Sequence, residues 1–446
     1  MNQNYKKFYI KTWGCQMNEY DSLMITNILK QNKKYTTTNL FYEADILILN
    51  TCSIREKAYE KLFHQLGRWK ILKENNPNII IAVGGCVANQ EGKNILKRAK
   101  HIDIIFGTQT LHRLPDMINQ RIKKKPIIDI TFPKLEKFKN ILIPKNINYS
   151  TSISIMEGCN KYCSFCIVPY TRGREISRPF HDILYEISRL VDQGVKEITL
   201  LGQNVNSYYS IDENGKKCRF SKLLQLISHI KKIKRIRFIT SNPMDFNDDI
   251  INIYYNTPKI VSFLHLPIQS GSNRILKLMK RPYSIRKYKE IINKLILARP
   301  NIQISSDFIV GFPGETAHDF QKTMNIISDI NFDMSFSFIY SPRPGTPASK
   351  LKDNINMTEK KIRLNILQNQ IKKQAKKWTS KMLNSHQTIL VEKYFNKNKN
   401  KFLGKTENNR TVIVKSNNNI LGKLIKVYIT QIKNNILKGK IIYKYL

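Results

Sequence analysis

Three cysteines stand close together in the run EGCNKYCSFC, with three residues between the first two and two between the last two. No other feature constrains the fold as much, because one short loop must present three thiolates to one centre. Cys thiolates hold the four irons of a [4Fe–4S] cluster, so three ligands leave one iron open. An open iron suits a cluster that binds and reduces a ligand. The predicted ligands are Cys159, Cys163 and Cys166.

A structural zinc loop is the alternative for this triplet. Structural zinc takes four protein ligands, often from two C-x2-C pairs. His181, the nearest downstream histidine, does not lie at the usual spacing for a fourth ligand. The spacing therefore favours an iron–sulfur cluster over zinc.

Three more cysteines, Cys15, Cys52 and Cys86, each follow a short apolar run and precede a segment with helical periodicity. The runs FYIKT, DILILN and NIIIAVGG read as strands, and strand–helix alternation predicts a parallel sheet. Loops at the carboxyl ends of parallel strands gather at one edge, where ligands bind. We therefore expect these thiols to converge on a second three-ligand cluster site. The alternative is three buried core cysteines, since free Cys is commonly buried.

Composition bounds the class of protein. The 446 residues suit two or three domains, and seven cysteines in a chain of this size do not suggest a secreted disulfide scaffold. The amino-terminal segment has no apolar core of a signal peptide, and no apolar run approaches membrane-spanning length. We expect a cytoplasmic protein without a membrane anchor.

The net charge is +42, from 75 Lys and Arg against 33 Asp and Glu. A field of this sign attracts a polyanion, and RNA is the natural candidate. The chain is also rich in Asn and Ile, as in NNPNIII. Enrichment in Lys, Asn and Ile together indicates a general compositional bias. Part of the positive charge is then explained by lysines on solvated faces that bind no partner.

The pattern of apolar runs predicts an α/β protein in three parts. Residues 6–123 are expected to form an N-terminal parallel α/β sheet domain, and residues 145–378 an incomplete barrel of six parallel strands with crossover helices. Residues 380–443 alternate in short runs broken by glycines, which predicts a small C-terminal β-barrel. A proline-containing basic stretch, 121–148, reads as a linker between the first two parts.

These segments together resemble the radical S-adenosylmethionine (SAM) methylthiotransferases over nearly the whole chain. The resemblance is carried by TWGCQMNEYDS, NTCSIREKAYEK, GGCVANQEG, MEGCNKYCSFCIVPYTRGREISRP, LHLPIQSGSNRILKLMKRPYS, DFIVGFPGET and GKTENNR. GCQMNEYDS resembles the branch that modifies isopentenylated adenosine in tRNA. Trp13, Asn242 and Arg174 depart from the residues usual in that branch, and none of them is a cluster ligand.

The resemblance implies two [4Fe–4S] clusters and SAM as cofactors, tRNA as substrate, and a C-terminal domain of the TRAM type. It implies a transferase that adds a methylthio group to C2 of N6-isopentenyladenosine beside the anticodon, served by a flavodoxin-like electron donor and acting as a monomer. Two alternatives stay open. One is a methylthiotransferase for threonylcarbamoyl-adenosine in tRNA or for a ribosomal protein, and the other is a non-enzymatic RNA-binding iron–sulfur protein.

Residues at predicted strand ends supply the remaining candidates. Two short motifs, GQN and GFPGE, place glycines where a backbone can approach SAM closely. The alternative is that both motifs are ordinary turns between a strand and a helix, without a role in SAM binding. Basic residues after the cluster loop, and a turn of the small barrel, are candidates for phosphate contacts, which position RNA without reading its sequence. The cofactor-binding candidates are Gly202, Gln203, Asn204, Gly311, Pro313 and Glu315, and the RNA-binding candidates are Arg172, Arg174, Asn409 and Arg410.

Overall fold

The computed structural model describes residues 5–53, 56–121, 125–133, 138, 148–396 and 398–443. The chain divides into two compact units. The first comprises Met1–Pro144, Met156–Tyr162 and Cys166–Arg178, and the second comprises Lys145–Ile155, Cys163–Phe165 and Pro179–Leu446. Most of the predicted linker at 121–148 lies outside the described residues. No helix in the described ranges has the length and apolar character needed to cross a bilayer.

The first unit combines a parallel sheet with flanking helices and one short antiparallel pair of strands. Its strands are β1 (Lys6–Trp13), β2 (Tyr35–Thr37), β3 (Ile46–Thr51), β4 (Ile80–Gly85), β5 (Ile104–Phe106), β6 (Ile127–Asp129), β8 (Met156–Glu157) and β9 (Ile176–Ser177). Its helices are α1 (Gln16–Gln31), α2 (Glu56–Asn75), α3 (Cys86–Glu91), α4 (Asn94–Arg98), α5 (Leu114–Gln120) and α6 (Val168–Thr171).

The sheet of the first unit has six strands in the order β2-β1-β3-β4-β5-β6, and all neighbours run parallel. Strands β3 and β5 are buried at every residue, as expected where helices cover both faces of a parallel sheet. The order reverses between β1 and β3, so a crevice opens at their carboxyl ends. Trp13, Thr51 and Gly85 lie side by side in the ladder, one or two residues before the three N-terminal cysteines.

The second unit contains the incomplete barrel, the small barrel and the helices that pack on them. Its strands are β7 (Ser150–Ser154), β10 (Glu197–Leu201), β11 (Tyr209–Ile211), β12 (Lys217–Arg219), β13 (Arg235–Phe238), β14 (Phe263–His265), β15 (Gln303–Ser305), β16 (Asp307–Val310), β17 (Phe336–Ile339), β18 (His386–Phe395), β19 (Asn398–Lys405), β20 (Thr411–Lys415), β21 (Leu424–Lys433) and β22 (Ile436–Tyr443). Its helices are α7 (Phe180–Asp192), α8 (Phe220–Ser228), α9 (Asp248–Asn256), α10 (Asn273–Leu278), α11 (Ile285–Ala298), α12 (Ala317–Ile330) and α13 (Met357–Ser380).

The incomplete barrel has six strand positions, as predicted. Strands β7, β10 and β13 pair in parallel, and a single bridge from Ile236 to Ile260 continues the series. Strand β14 pairs with β15, a bridge from Gln269 joins Phe308, and β16 pairs with β17. No pairing within the described ranges joins β17 back to β7, which leaves the barrel open on one side. The predicted fold class is confirmed.

The small barrel closes in the order β18-β19-β20-β22-β21 around its own apolar core. It packs against the amino ends of the partial barrel's strands. Arg235, at the start of β13, donates to the carbonyl oxygens of Lys405 at 2.8 Å and Thr388 at 2.6 Å. Arg410 pairs with Asp333, which precedes β17. The two barrels therefore share one compact unit, and α13 ends at Ser380, just before the small barrel begins.

Candidate functional site

The three N-terminal cysteines meet at the crevice of the first sheet. Cys52 is within hydrogen-bonding distance of both Cys15 and Cys86. Cys15 is exposed, whereas Cys52 and Cys86 are buried. The backbone N–H of Cys52 donates to the carbonyl oxygen of Trp13 at 3.0 Å, which fixes the end of β3 against the end of β1. The predicted convergence of these thiols is therefore present in the structure.

The three thiols differ in the direction in which their pKa values are shifted. The hydrogen bond with Cys52 lowers the pKa of Cys15 to about 6 and that of Cys86 to about 7, while desolvation opposes both shifts. The positive charge of Arg172 lowers both pKa values further. The hydrogen bond with Cys15, followed by the one with Cys86, raises the pKa of Cys52. Because the thiolate is the form that ligates iron, these surroundings favour the ligating form of Cys15 and Cys86 and disfavour that of Cys52.

A buried ion triad lies beside the N-terminal cysteines. Arg172, only 2% exposed, donates from Nη2 to Oδ2 of Asp21 at 2.7 Å and from Nη1 to Oε1 of Glu157 at 2.8 Å. The carbonyl oxygen of Arg172 accepts a hydrogen bond of 2.7 Å from Gln109. The guanidinium thus faces carboxylates inside the first unit, which argues against the RNA contact predicted for this residue.

Two asparagines and one glycine shape the crevice around these thiols. Asn50 donates to the carbonyl oxygen of Asn18 at 2.9 Å, and Asn18 in turn accepts a weak hydrogen bond from the Cys15 thiol at 3.4 Å. Gly85 has φ of +91°, and a Cβ there would collide with the side-chain oxygen of Asn50 and the carbonyl of Thr51. Only glycine therefore lets β4 end close enough to β3 to bring Cys86 beside Cys52.

The second cysteine triplet occupies the loop between β8 and α6. Gly158 begins the loop with φ of +80°, where a Cβ would collide with the carbonyl of Arg174. The N–H of Cys159 donates to the carbonyl oxygen of Gly173 at 3.3 Å. Tyr162, between the first two cysteines, adopts φ of +46°, which is uncommon for a side chain of this size. Such backbone strain often marks a functional segment.

The middle cysteine of this loop, Cys163, is buried and lies under an arginine. Arg281 donates from Nη1 to Sγ of Cys163 at 3.6 Å. Next to it, Ser164 hydrogen-bonds the carboxyl end of α10, through its N–H to the carbonyl oxygen of Met279 at 3.0 Å and through its hydroxyl to the carbonyl oxygen of Leu278 at 2.7 Å. Sequence reasoning missed Arg281, because no spacing rule relates it to a cysteine 118 residues away.

The predicted GQN motif follows β10 at the carboxyl end of the partial barrel. Gly202 is buried and Gln203 is half-buried. Asn204 is also buried, and its side-chain amide donates to Asp245 at 2.7 Å. Asn204 thus fixes its own loop to a neighbouring loop, and its predicted contact with SAM stays a prediction.

The GFPGE loop, which follows β16, is held by the last residue of its own motif. Glu315 accepts a hydrogen bond from the N–H of Gly311 at 2.7 Å and an ion pair from Arg363 at 2.9 Å. Burial raises the pKa of Glu315, against the effect of both partners. Gly311, at φ of +67°, packs on the stem of Lys360, and Pro313 is buried within the loop. Glu315 therefore positions a loop rather than facing outward.

The other RNA-binding candidates differ in exposure. Arg174 is exposed on the segment after the cluster loop. Asn409 is half-buried, with φ of +63°, in the turn between β19 and β20. Arg410 is buried and bonded to Asp333 through both terminal nitrogens, at 2.5 and 2.6 Å. This pairing argues against a phosphate contact by Arg410 and instead makes it a docking residue for the small barrel.

The donor set of the two triplets fits iron–sulfur clusters, because each offers three sulfurs and has a buried guanidinium beside it. Within the described residues, no group of three or more His, Cys, Asp or Glu side chains is arranged to hold a metal ion.

Three protein-family profiles match consecutive parts of the chain. Residues 7–107 match the uncharacterized protein family UPF0004, residues 153–327 the radical SAM superfamily, and residues 380–442 the TRAM domain. These three ranges correspond to the parallel sheet, the partial barrel and the small barrel, respectively. Membership of the radical SAM superfamily implies a [4Fe–4S] cluster and SAM.

Two solved structures share the fold at low sequence identity. The radical SAM methyltransferase TsrM from Kitasatospora setae, solved with cobalamin and a [4Fe–4S] cluster, aligns with a TM-score of 0.56 at 11% identity over 77% of each chain. The cobalamin-dependent radical SAM enzyme OxsB aligns with a TM-score of 0.52 at 12% identity, over 84% of this chain and 56% of its own. Both likenesses concern the fold alone.

Curated relatives match the chain over nearly its full length. A tRNA-2-methylthio-N(6)-dimethylallyladenosine synthase from Buchnera aphidicola subsp. Schizaphis graminum is 64% identical over 98% of this chain and 100% of its own. Enzymes of the same name from Photorhabdus laumondii and Salmonella arizonae are 57% and 56% identical, each over 98% of this chain and 92% of their own. The chain belongs to the tRNA-2-methylthio-N(6)-dimethylallyladenosine synthase family of radical SAM enzymes.

Proposed function

We propose that this chain is the transferase that adds a methylthio group to C2 of N6-isopentenyladenosine beside the anticodon of tRNA. One observation carries the proposal, namely that the N-terminal crevice gathers three thiols from separate strand ends in a chain that has a second cysteine triplet on one loop. A methylthiotransferase needs one site that generates a radical and a second site that donates sulfur, and the two cysteine triplets can provide one site each.

The two triplets have separate roles in this proposal. Cys159, Cys163 and Cys166 would hold the cluster that works with SAM, because only they have the radical SAM spacing. A second cluster would be held by the triplet at the crevice, which consists of Cys15, Cys52 and Cys86. When bound, these groups supply the radical chemistry at carbon and the sulfur that is transferred.

The chain's own residues bind, orient and shield. Arg172 holds positive charge near two thiols of the N-terminal site, and Glu315 fixes the loop in which Gly311 and Pro313 would approach SAM. Gly202, Gln203 and Asn204 would line the neighbouring loop. Arg174 and Asn409 remain the proposed RNA contacts. The partner that supplies electrons would be flavodoxin-like, and the enzyme would act as a monomer in the cytoplasm.

The test compares modified nucleosides in bulk tRNA from cells that lack the chain and cells that carry it or a variant. Mass spectrometry should find the methylthiolated nucleoside with the unaltered chain and its unmodified isopentenyl precursor with Cys52→Ala and with Cys159→Ala. In vitro, Cys52→Ala should still cleave SAM, whereas Cys159→Ala should not. Cys218→Ala is the matched control, because Cys218 is a buried cysteine outside both triplets and should leave the product unchanged.

Two results would favour the alternatives. Methylthiolated threonylcarbamoyl-adenosine or a modified ribosomal protein, with isopentenyladenosine untouched, would assign the chain to another substrate. The absence of SAM cleavage by anaerobically reconstituted, reduced protein would favour a non-enzymatic RNA-binding role.

A further inference from the structure

We propose that Arg281 is a positioning residue for the iron–sulfur site of Cys159, Cys163 and Cys166, and that it holds a buried positive charge against the Cys163 sulfur and so favours the reduced state of that site. The inference rests on the proposed function only in taking these three cysteines as iron ligands. It adds a residue for which the motifs predicted no role.

The guanidinium of Arg281 is fixed by three different acceptors. Nη1 donates to Sγ of Cys163 at 3.6 Å, Nη2 to the carbonyl oxygen of Pro267 at 2.7 Å, and Nε to the hydroxyl of Tyr283 at 2.8 Å. The hydroxyl of Tyr283 in turn donates to the carbonyl oxygen of Ile268 at 3.0 Å. Arg281 is 8% exposed, so solvent contributes little to its stabilisation. The side chain therefore has one orientation, with one nitrogen directed at sulfur.

The charge of Arg281 has no carboxylate counterpart. Among the described residues, the acceptors of its hydrogen bonds are the Tyr283 hydroxyl, the Pro267 carbonyl oxygen and the Cys163 sulfur, and none of them is an Asp or Glu carboxylate. Two of the other buried arginines, Arg172 and Arg410, pair with carboxylates. A buried cation requires an anionic partner to offset its desolvation. At Arg281 that partner is the sulfur of a ligand cysteine, which is a thiolate when it holds iron.

The cluster loop and the turn that carries Arg281 are joined independently of the guanidinium. Ser164, the residue after Cys163, hydrogen-bonds the carbonyl oxygens of Leu278 and Met279 at 2.7 and 3.0 Å. Lys280 then turns the chain with φ of +54°, which places Arg281 next to the loop. Substitution of Arg281 thus removes a charge, the hydrogen bond to sulfur and those to Pro267 and Tyr283, while Ser164 still anchors the loop.

The physical effect has a definite sign. Reduction adds one electron, supplied in the assay by an external chemical reductant, and makes the site more negative. A nearby positive charge and an N–H donor to a ligand sulfur stabilise the more negative state, and both are known to set iron–sulfur potentials. Removal of Arg281 should therefore lower the midpoint potential of this site.

The experiment uses the full chain in a background with Cys15, Cys52 and Cys86 each changed to Ala, so that iron and electron paramagnetic resonance report one triplet. Reductive titration at poised potentials would compare Arg281→Met, Arg281→Lys and the parent. For Arg281→Met we expect about a tenfold smaller ratio of reduced to oxidised site at a fixed potential, which is a downward shift of about 59 mV for a one-electron couple. Arg281→Lys keeps the charge and should shift the potential less.

The matched control is Arg299→Met. Arg299 also bonds backbone carbonyl oxygens, those of Tyr254 and Ile260 at 3.0 and 2.9 Å, but it does not contact a cysteine. It should leave the potential unchanged. An Arg281→Met potential equal to that of this control would overturn the inference, as would loss of iron in both Arg281 variants with iron retained in the control. If only Arg281→Met loses iron, Arg281→Gln, which also removes the charge, takes its place in the comparison with the control. A background protein that binds no iron would instead refute the ligand assignment made under the proposed function.

Discussion

Arg172 and Asp21 are joined by a buried hydrogen bond of 2.7 Å across 151 residues of sequence. Asp21 lies on α1, the helix that follows Cys15, and Arg172 lies just beyond α6, in the segment that follows Cys166. Glu157, two residues before Cys159, completes the contact from the other side of the guanidinium. A single side chain therefore ties together segments that flank cysteines of both triplets.

This relationship predicts that Arg172→Met destabilises the first unit. The change leaves Asp21 and Glu157 buried without a cation, and breaking a buried pair in this way costs about 3–5 kcal/mol. Calorimetry should record a lower unfolding temperature, and reconstituted protein should lose iron. Arg174→Met, on the exposed side of the same segment, is the control and should change neither property. An unaltered unfolding temperature for Arg172→Met would mean that the triad contributes little to the fold.

Iron content should divide equally between the triplets. Anaerobically reconstituted protein should carry about eight irons, in two cubane clusters. Replacement of Cys159, Cys163 and Cys166 by Ala should leave about half of the iron, because the sheet crevice is built from other segments. Chemical iron analysis with Mössbauer spectroscopy would measure both values. About four irons in the unaltered chain, insensitive to Cys52→Ala, would rule out a second cluster.

Exposed lysines of the small barrel should contribute to tRNA affinity. Lys433, Lys438 and Lys440 project into solvent from β21 and β22. Changing all three to Gln should reduce the slope of log affinity against log salt by about 0.7–0.9 for each phosphate that the variant no longer neutralises. Equal neutralisation of three exposed lysines on or near α8, Lys222, Lys231 and Lys232, is the control. Equal slopes for both variants would mean that the barrel's charge reflects composition alone.

Arg410 should behave differently from those lysines. Arg410→Gln leaves Asp333 buried and unpaired, so it should lower thermal stability by about 3–5 kcal/mol. The salt slope of tRNA binding should not change, since the guanidinium is already occupied. Measuring thermal stability and the salt slope on one preparation distinguishes a role of Arg410 in docking the small barrel from a role in RNA contact. A reduced slope with unaltered stability would restore Arg410 as a phosphate ligand.

Asp319 should give the second unit a pH-dependent stability. Burial alone would raise the pKa of Asp319, but hydrogen bonds from Arg274, Ser272 and Thr316 lower it well below its ordinary value. Its contribution is therefore complete above the ordinary Asp pKa of about 3.9 and is lost as pH falls below it. Asp319→Asn also breaks the capping box of α12, at about 1 kcal/mol.

This pH dependence can be measured by comparing the unfolding temperatures of the cluster-free protein and its Asp319→Asn variant at pH 7 and near pH 3. The difference between the two proteins should be largest at pH 7 and should shrink at the lower pH. A difference that stays constant between the two conditions would contradict the assigned partners.

Apolar runs that end in cysteine made the N-terminal site predictable. FYIKT, DILILN and NIIIAVGG all form strands, and the convergence of Cys15, Cys52 and Cys86 follows from parallel topology. Strand β2 escaped prediction because YTT is short and mostly polar, and β6 because it lies inside the predicted linker. Strand β19 was missed for another reason, since NKNKFLGK is mostly polar and gains strand structure from pairing on both sides.

Side-chain partnerships were beyond sequence reasoning. Arg172 and Arg410 were both predicted to contact RNA, because a basic residue in a polar segment normally faces solvent. In each case the partner, Asp21 or Asp333, comes from a distant part of the chain. Whether such an arginine is buried depends on tertiary packing, and neither the periodicity nor the composition of the sequence predicts that packing.

The way in which the small barrel is seated makes it exchangeable. Arg235 holds the barrel through the main-chain carbonyl oxygens of Thr388 and Lys405, which every amino-acid sequence provides. Side-chain recognition is concentrated in the turn Thr406–Arg410, where Glu407 accepts from the N–H of Ser262 and Arg410 pairs with Asp333. Substitutions of barrel side chains that face away from this seat should therefore leave the barrel in place. Evolution, or a designer of chimeric enzymes, can thus alter what the C-terminal module grips without rebuilding the catalytic body that carries it.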